Sequence, residues 1–271
     1  LIKLDAIKTS LQRGQIPIGE IRFGIYGNED PMYILAGLPF IAPDYASAWL
    51  LKEVKHEYLQ NLFNKKGLRI LYTSPWPGQG FYTKTPVNGV SDFKGKKLRI
   101  YSTATQQMGT MLGFNATILP FAEIPQAFST GLIEALFTSP QTGIDIQAWD
   151  NTKHFTYAGA IFSKNAVIVT NKAFNALSKE DQSGILAAAK KAELRGWEMS
   201  AATTKAQIGV LEKNGMKAKN APEGVISKMK EIGQAMMKEW RKKASPEANA
   251  VLDRYLATVS YTHLTLPTRL M

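Results

Sequence analysis

The chain has 271 residues, a formal net charge of +11 and no cysteine. Without cysteine, a disulfide framework, a thiolate zinc site, an iron–sulfur cluster and a cysteine nucleophile are excluded. Hydrophobic residues make up 45% of the chain and charged residues only 20%, which predicts a folded core and excludes global disorder.

The first third of the chain predicts helices and strands in alternation. We expect a helix over residues 5–14, a strand over 20–25 and a helix over 45–63 that Asp44 caps. Residues 68–73 are apolar and β-branched, which predicts a buried strand of a parallel sheet. The strand, helix, strand order is typical of an α/β protein.

A loop rich in proline and glycine, residues 74–80, separates this unit from a second α/β unit. In the second unit we predict strands over 97–101, 115–119, 133–137, 155–160 and 166–170, and helices over 103–112 and 120–131. Ligands of open α/β sheets bind beyond the carboxyl ends of the strands. Residues 101–103, 120–122 and 137–140 are therefore expected to meet at one site.

The last third predicts helices. A pattern without proline runs from Ser178 to about residue 214, longer than the usual globular helix, so we expect one helix to cross two lobes. Further helices are predicted over 222–243 and 246–258. Residues 259–271 change abruptly to a threonine-rich composition without acidic side chains, and we expect them to be a non-native tail.

Signatures of common enzymes and of nucleic-acid binding are missing. The three histidines lack zinc-ligand spacing, no G-x-S-x-G sequence supplies a nucleophile, and the glycines at 78 and 80 lack the third glycine of a dinucleotide loop. Basic residues are scattered rather than concentrated in one stripe, so we expect no nucleic-acid partner. The positive charge instead favours a small organic anion as ligand. We expect no cofactor and no metal-ligating residues, and whether a metal ion assists binding stays open.

One arginine stands inside an apolar strand. Arg99 is flanked by Leu98 and Ile100, so it either extends towards solvent or pairs with an anion that matches its planar fork. Both alternatives remain open on this pattern alone. Aromatic and hydroxyl side chains that could complete a recognition site occur at the predicted loop, helix start and strand end, at Trp76, Phe121, Thr138 and Ser139.

Four sequence blocks resemble the solute-binding proteins of tripartite ATP-independent periplasmic (TRAP) transporters, the DctP-type family. The resemblance runs from about residue 14 to about residue 243. The blocks are residues 38–40 (LPF) with Tyr45, 92–100 (DFKGKKLRI), 119–131 (LPFAEIPQAFSTG), and 133–134 (IE) followed by 138–140 (TSP). Their order and spacing together carry the resemblance.

The resemblance implies a periplasmic-binding-protein-like fold, with two α/β lobes around a ligand cleft. In that family the strand arginine grips the ligand carboxylate, an aromatic residue packs on the ligand, and a polar residue follows the next strand. The matching positions are Arg99, Phe121 and Thr138. The full set of expected ligand contacts is Arg99, Trp76, Gln79, Phe121, Thr138, Ser139, Ser102, Thr142, Asp145 and Trp149.

The resemblance also implies a function. The protein would capture a small organic acid in the periplasm, deliver it to TRAP permease subunits in the membrane, act as a monomer and catalyse no reaction. An enzyme acting on a small organic acid in the same cleft is the alternative, and it would need a base that we do not find there. The ligand's identity stays open.

The implied lobes divide the chain into segments. We expect residues 1–98 in lobe 1, 99–190 mainly in lobe 2, and 191–258 returning to lobe 1. Family members also have a signal peptide, a first strand and a first helix ahead of the region where this chain begins at Leu1. We therefore expect the true N-terminus and one wall of the cleft to be missing.

Overall fold

Two β-sheets and their surrounding helices build a mixed α/β fold in the computed structural model, which describes residues 2–265 and the side chains of residues 2–259. The strands are β1 (Ile18–Arg22), β2 (Leu68–Pro75), β3 (Gly80–Thr83), β4 (Lys97–Ile100), β5 (Asn115–Ile118), β6 (Ala135–Thr138), β7 (His154–Tyr157), β8 (Lys164–Thr170) and β9 (Lys217–Asn220). The helices are α1 (Ile7–Gln12), α2 (Tyr45–Asn64), α3 (Thr103–Met111), α4 (Ile124–Ser129), α5 (Pro140–Asp145), α6 (Asn171–Asn175), α7 (Lys179–Lys213), α8 (Glu223–Lys243) and α9 (Pro246–Thr265).

The three-stranded sheet has the order β1-β8-β2, and both neighbours run antiparallel to β8. The prediction of a parallel sheet for residues 68–73 is therefore wrong. The apolar run correctly indicates that the strand is buried, because β2 packs against both α2 and α7. Burial alone does not fix strand direction, because β8 reaches this sheet from a distant part of the chain.

The six-stranded sheet has the order β5-β4-β6-β3-β7-β9. β4 is parallel to β5 and β6, and β3 joins this group to β7 by antiparallel pairing on both sides. Sequence patterns did not predict β3 and β9. β3 directly follows the proline-rich loop, and β9 is a four-residue strand with two lysines and no apolar alternation.

Strand alternation in the six-stranded sheet separates two cores. Leu98 and Ile100 of β4 point into the larger core, whereas Leu136 of β6 and Tyr82 of β3 belong to a smaller core. Arg99 is in register with Leu136 and therefore lies on the face opposite Leu98 and Ile100. The strand that anchors the large core thus also fixes where the arginine points.

The long helix α7 contacts both sheets. In its first half, Glu193 accepts hydrogen bonds of 3.1 Å from the amide and hydroxyl of Thr73 in β2, and Trp197 Nε1 donates to the Thr73 carbonyl at 3.2 Å. In its second half, Gln207 donates to Gln141 of α5 at 2.9 Å, and the helix packs on β9. The prediction of one long helix crossing the two α/β parts is confirmed.

The predicted segment boundaries stay predictions. β3 precedes residue 99 yet pairs within the six-stranded sheet, and β8 lies between residues 99 and 190 yet pairs within the three-stranded sheet. The chain thus passes between the sheets more than once. Helix α9 extends to Thr265, beyond the predicted end at 258. Residues 266–271 of the predicted tail lie outside the described residues.

Two helical glycines give a matched test of this packing. A methyl group on Gly143 of α5 would overlap the Tyr82 hydroxyl, whereas one on Gly184 of α7 would meet no atom within 4 Å. We expect Gly143→Ala to lower the free energy of unfolding by about 1–3 kcal/mol through overpacking. Gly184→Ala should raise it by about 0.5–1 kcal/mol, because alanine favours helix. Urea unfolding measures both changes in free energy. Equal effects of the two substitutions would contradict the close contact between Gly143 and the Tyr82 hydroxyl.

Candidate ligand-binding site

Two arginines, one from each sheet, meet at a single tyrosine ring. Arg22 ends β1 and donates from Nη2 to the Tyr101 carbonyl at 3.0 Å, with its guanidinium carbon 4.9 Å from the Tyr101 ring centroid. Arg99 in β4 lies 5.9 Å from the same centroid, and its Nε donates to the Leu119 carbonyl at 3.1 Å. Arg22 and Arg99 are called the arginine pair below.

The arginine pair has no carboxylate partner among the described side chains. Arg99 is only 2% exposed, and Arg22 Nε is buried without an acceptor. Burial, reinforced by the charge of Arg22, lowers the pKa of Arg99 to about 10. Both groups still carry their charge at neutral pH. A buried cation beside a half-buried one, both without a counter-ion, is costly, so the site favours a bound anion.

Tyr101 and Gln79 fix the polar wall beside the pair. The Tyr101 hydroxyl donates to Gln79 Oε1 at 2.5 Å, and Gln79 Nε2 donates to the Ser163 hydroxyl at 3.1 Å. Burial raises the pKa of Tyr101 to about 12, so its hydroxyl keeps its proton. The Gln79 side chain is buried, at 2% exposure, and the backbone carbonyl of Gln79 accepts from the amides of Ala158 and Gly159. This chain of hydrogen bonds holds the amide in one orientation.

Trp76 lies in the same loop as Gln79. Its backbone amide donates to the Ser163 carbonyl at 2.8 Å, and its indole donates to Asn165 Oδ1 at 3.0 Å. Asn165 in turn donates to Glu20 of β1 at 2.6 Å. The structure therefore brings Trp76 and Gln79, two predicted ligand contacts, to the strand end where Ser163 precedes β8.

Four predicted contacts lie at helix starts. Ser102 caps α3 by accepting from the Thr105 amide at 3.2 Å, and Ser139 caps α5 by accepting from the Thr142 amide at 3.2 Å. The Ser139 and Thr142 hydroxyls are 3.1 Å apart, and Thr138 pairs with Gly80 at the end of β6. These side chains are buried and follow β4 and β6 as expected. Their contact with a ligand stays a prediction.

The remaining three predicted contacts lie apart from this hydrogen-bonded group. Phe121 is 46% exposed, two residues after Leu119, whose carbonyl accepts from Arg99. Asp145 is exposed and accepts from Gln141 at 2.7 Å, and Trp149 packs against the smaller core. Within residues 2–259, none of the three hydrogen-bonds to the arginine pair, Tyr101 or Gln79. Their roles as ligand contacts stay predictions.

Sequence reasoning missed Arg22, Tyr101 and Ser163. Arg22 stands between Ile21 and Phe23, the same apolar-arginine-apolar pattern that identified Arg99. That signal was available. The sequence could not show that the ends of β1 and β4 come together at one aromatic ring, because the two strands belong to different sheets.

Comparison with known proteins identifies the family. Residues 3–243 match the model of the DctP family, described as bacterial extracellular solute-binding protein, family 7. The chain belongs to this family. Its members are solute receptors of TRAP transporters, so the alternative of an enzyme in the cleft is set aside.

Solved DctP-type receptors share this fold and cover most of both chains. DctP7 of Bordetella pertussis, an extracytoplasmic solute receptor binding pyroglutamic acid, has a TM-score of 0.91 and 38% identity over 94% of this chain and 85% of its own. DctP6 of the same organism, also binding pyroglutamic acid, has a TM-score of 0.92 and 35% identity over 95% and 85%. A marine-metagenome TRAP protein specific for pyroglutamate has a TM-score of 0.90 and 32% identity over 95% and 84%.

Membrane and metal features add little to this family assignment. Among the helices of residues 2–265, none combines the length and apolar composition needed to cross a bilayer. The described side chains form no group of three or more histidine or carboxylate residues that could hold a metal ion.

Replacing Arg99 tests whether the arginine pair lowers the free energy of unfolding of the ligand-free receptor. Arg99→Met eliminates a buried charge without a carboxylate partner, so the free energy of unfolding without ligand should rise by about 1–3 kcal/mol. Arg241→Met is the control, because Arg241 pairs with Asp253 at 2.6 Å and its replacement removes a favourable ion pair, so it should not gain stability. Urea unfolding measures the free energy of unfolding of each variant. A large loss of stability in Arg99→Met would show that the charge of Arg99 is already compensated in the ligand-free protein.

Proposed function

We propose that this receptor binds a small cyclic monocarboxylate of the pyroglutamate type. It does so in the periplasm, as a monomer, and passes the acid to a TRAP permease. The observation that carries the proposal is the arginine pair, a buried and a half-buried guanidinium group that no carboxylate of the described chain neutralises. A ligand carboxylate supplies the missing charge and accepts from the unused guanidinium nitrogens.

The wall beside the arginine pair suits the rest of such a ligand. Pyroglutamate is a five-membered lactam, with one ring N–H, one ring carbonyl and one carboxylate. Gln79 and the Tyr101 and Ser163 hydroxyls supply amide and hydroxyl groups of both polarities, and the Trp76 indole supplies an apolar face. Three receptors at 32–38% identity bind pyroglutamate, which supports the same ligand class here.

The delivery step and the compartment rest on the family. TRAP receptors hand their ligand to a membrane permease, and the family is extracytoplasmic. The long helix α7 contacts both sheets, so a change in their relative position on ligand binding would be transmitted along one rigid element. Such closure would bring the carboxylate between Arg22 and Arg99.

A ligand panel tests the class of ligand. We expect pyroglutamate to raise the melting temperature more than proline, which has the same ring but no lactam carbonyl, and more than succinate, which has a second carboxylate. At one hundred times its dissociation constant, the acid should add about 2.7 kcal/mol to the free energy of unfolding. If only an acid of another class raises the melting temperature, the proposed ligand class is wrong. If no acid raises it, the proposed function is wrong.

Arg99→Lys tests the carboxylate contact. Lysine keeps the charge but loses the planar two-donor fork, so calorimetry should show affinity for pyroglutamate falling about tenfold to a hundredfold. Arg69→Lys is the matched control on β2, where the guanidinium packs on Phe174, and its affinity should equal the parent's. Unchanged affinity in a folded Arg99→Lys protein would show that Arg99 does not hold the carboxylate.

A further inference from the structure

A second group of buried cations lies between α2 and the three-stranded sheet, away from the arginine pair. Lys52 and Lys55 project from one face of α2, and Lys164 begins β8. Their exposed fractions are 8%, 3% and 6%. Lysine is rarely buried to this extent unless it is paired. These three residues are called the lysine cluster.

The lysine cluster has too few carboxylates. Lys52 pairs with the buried Glu193 at 2.7 Å and with the exposed Glu53 at 2.7 Å. Lys55 and Lys164 form no ion pair with any described side chain, and the one hydrogen bond from Lys164 Nζ, to the Phe162 carbonyl, is 3.4 Å long. Three buried ammonium groups thus share one buried carboxylate.

The three lysines face a common cavity. Its volume is about 10 Å³, and its polar wall consists of Lys52, Lys55, Lys164, His56 and Thr73, with apolar side chains completing it. A volume of roughly 10–15 Å³ holds one particle the size of a water molecule. A monatomic anion is therefore close to the right size, and it matches this cavity better than phosphate, sulfate or an organic acid.

We propose that this cavity is a halide site, in which one chloride ion is bound by Lys55 and Lys164 with Lys52 beside them. The ion supplies the negative charge that the buried side chains lack. It lies behind β2, the strand whose Thr73 is bonded to Glu193 of α7. Chloride would therefore stabilise the contact between α2, the three-stranded sheet and the long helix.

Occupancy should depend on pH. Burial lowers the pKa of Lys55 to about 7, and burial together with the charges of Lys55 and Lys52 lowers the pKa of Lys164 to about 7. Both are protonated more fully at pH 6 than at pH 9, so chloride should bind more tightly at pH 6. The other charged or titratable groups that face the cluster are Lys52, His56, Asp30 and Glu193.

Bromide locates the site directly. Crystals soaked in bromide should give an anomalous-difference peak inside the cavity, between Lys55 Nζ and Lys164 Nζ. A cavity that holds only water, or bromide bound only at Arg22 and Arg99, would overturn the proposal. The arginine pair attracts anions too, so the position of the peak distinguishes the two sites.

Thermal unfolding gives the solution test. At equal ionic strength and pH 6, replacing methanesulfonate, which is not a carboxylate, by chloride should raise the melting temperature of the parent by roughly 2–4 °C, and by less at pH 9. Lys164→Met should clearly reduce the chloride effect, whereas Lys172→Met, an exposed control beside β8, should retain it in full. Equal melting in both salts, or an unchanged effect in Lys164→Met, would overturn the site. If Lys164→Met does not fold, the bromide map decides.

Discussion

Arg22 and Arg99 bring two positive charges, one from each of two different sheets, against one tyrosine ring and without a carboxylate partner among the described side chains. Such an arrangement opposes folding of the empty protein and favours any anion that fits between the guanidinium groups. In the proposed function, this imbalance of charge is what selects an acidic ligand. The free energy that the charges cost the empty state is available to an acid that neutralises them, so affinity and stability are linked through the same two side chains.

The scaffold holds those charges in place from the backbone upward. Leu98 and Ile100 anchor β4 in the larger core, which forces Arg99 onto the opposite face. Ser102 and Ser139 cap the helices that follow β4 and β6, so the strand ends beside the arginine pair are rigid. Helix α7 then connects the two sheets along its 35 residues. The buried lysines Lys52, Lys55 and Lys164 repeat the same imbalance of charge, at a cavity of about 10 Å³.

Most of the elements could be predicted from local patterns, because caps, glycine stops and apolar periodicity are local signals. Asp44 and Ser178 cap their helices as expected, and α7 has nearly its predicted bounds. Which strands share a sheet was harder to predict from the sequence. The direction of β2 and the existence of β9 depend on partners far along the chain. At the site, Arg99 was identified by its apolar neighbours. Arg22 has the same pattern, but only the structure shows that β1 and β4 bring both arginines to the Tyr101 ring. Ser102 and Ser139 show why the role of a serine near a strand end is hard to predict from sequence. The same hydroxyl can cap the following helix or bind a ligand.

Calorimetry with pyroglutamate and its neutral carboxamide would test the central claim most directly. The two molecules share the lactam ring and differ only in whether the exocyclic group carries a charge for the arginine pair. We predict that the carboxamide binds at least about a hundredfold more weakly, since it loses charge-assisted hydrogen bonds to the two guanidinium groups. Equal affinity for the two molecules would contradict the account, because it would mean that the arginine pair does not require a carboxylate.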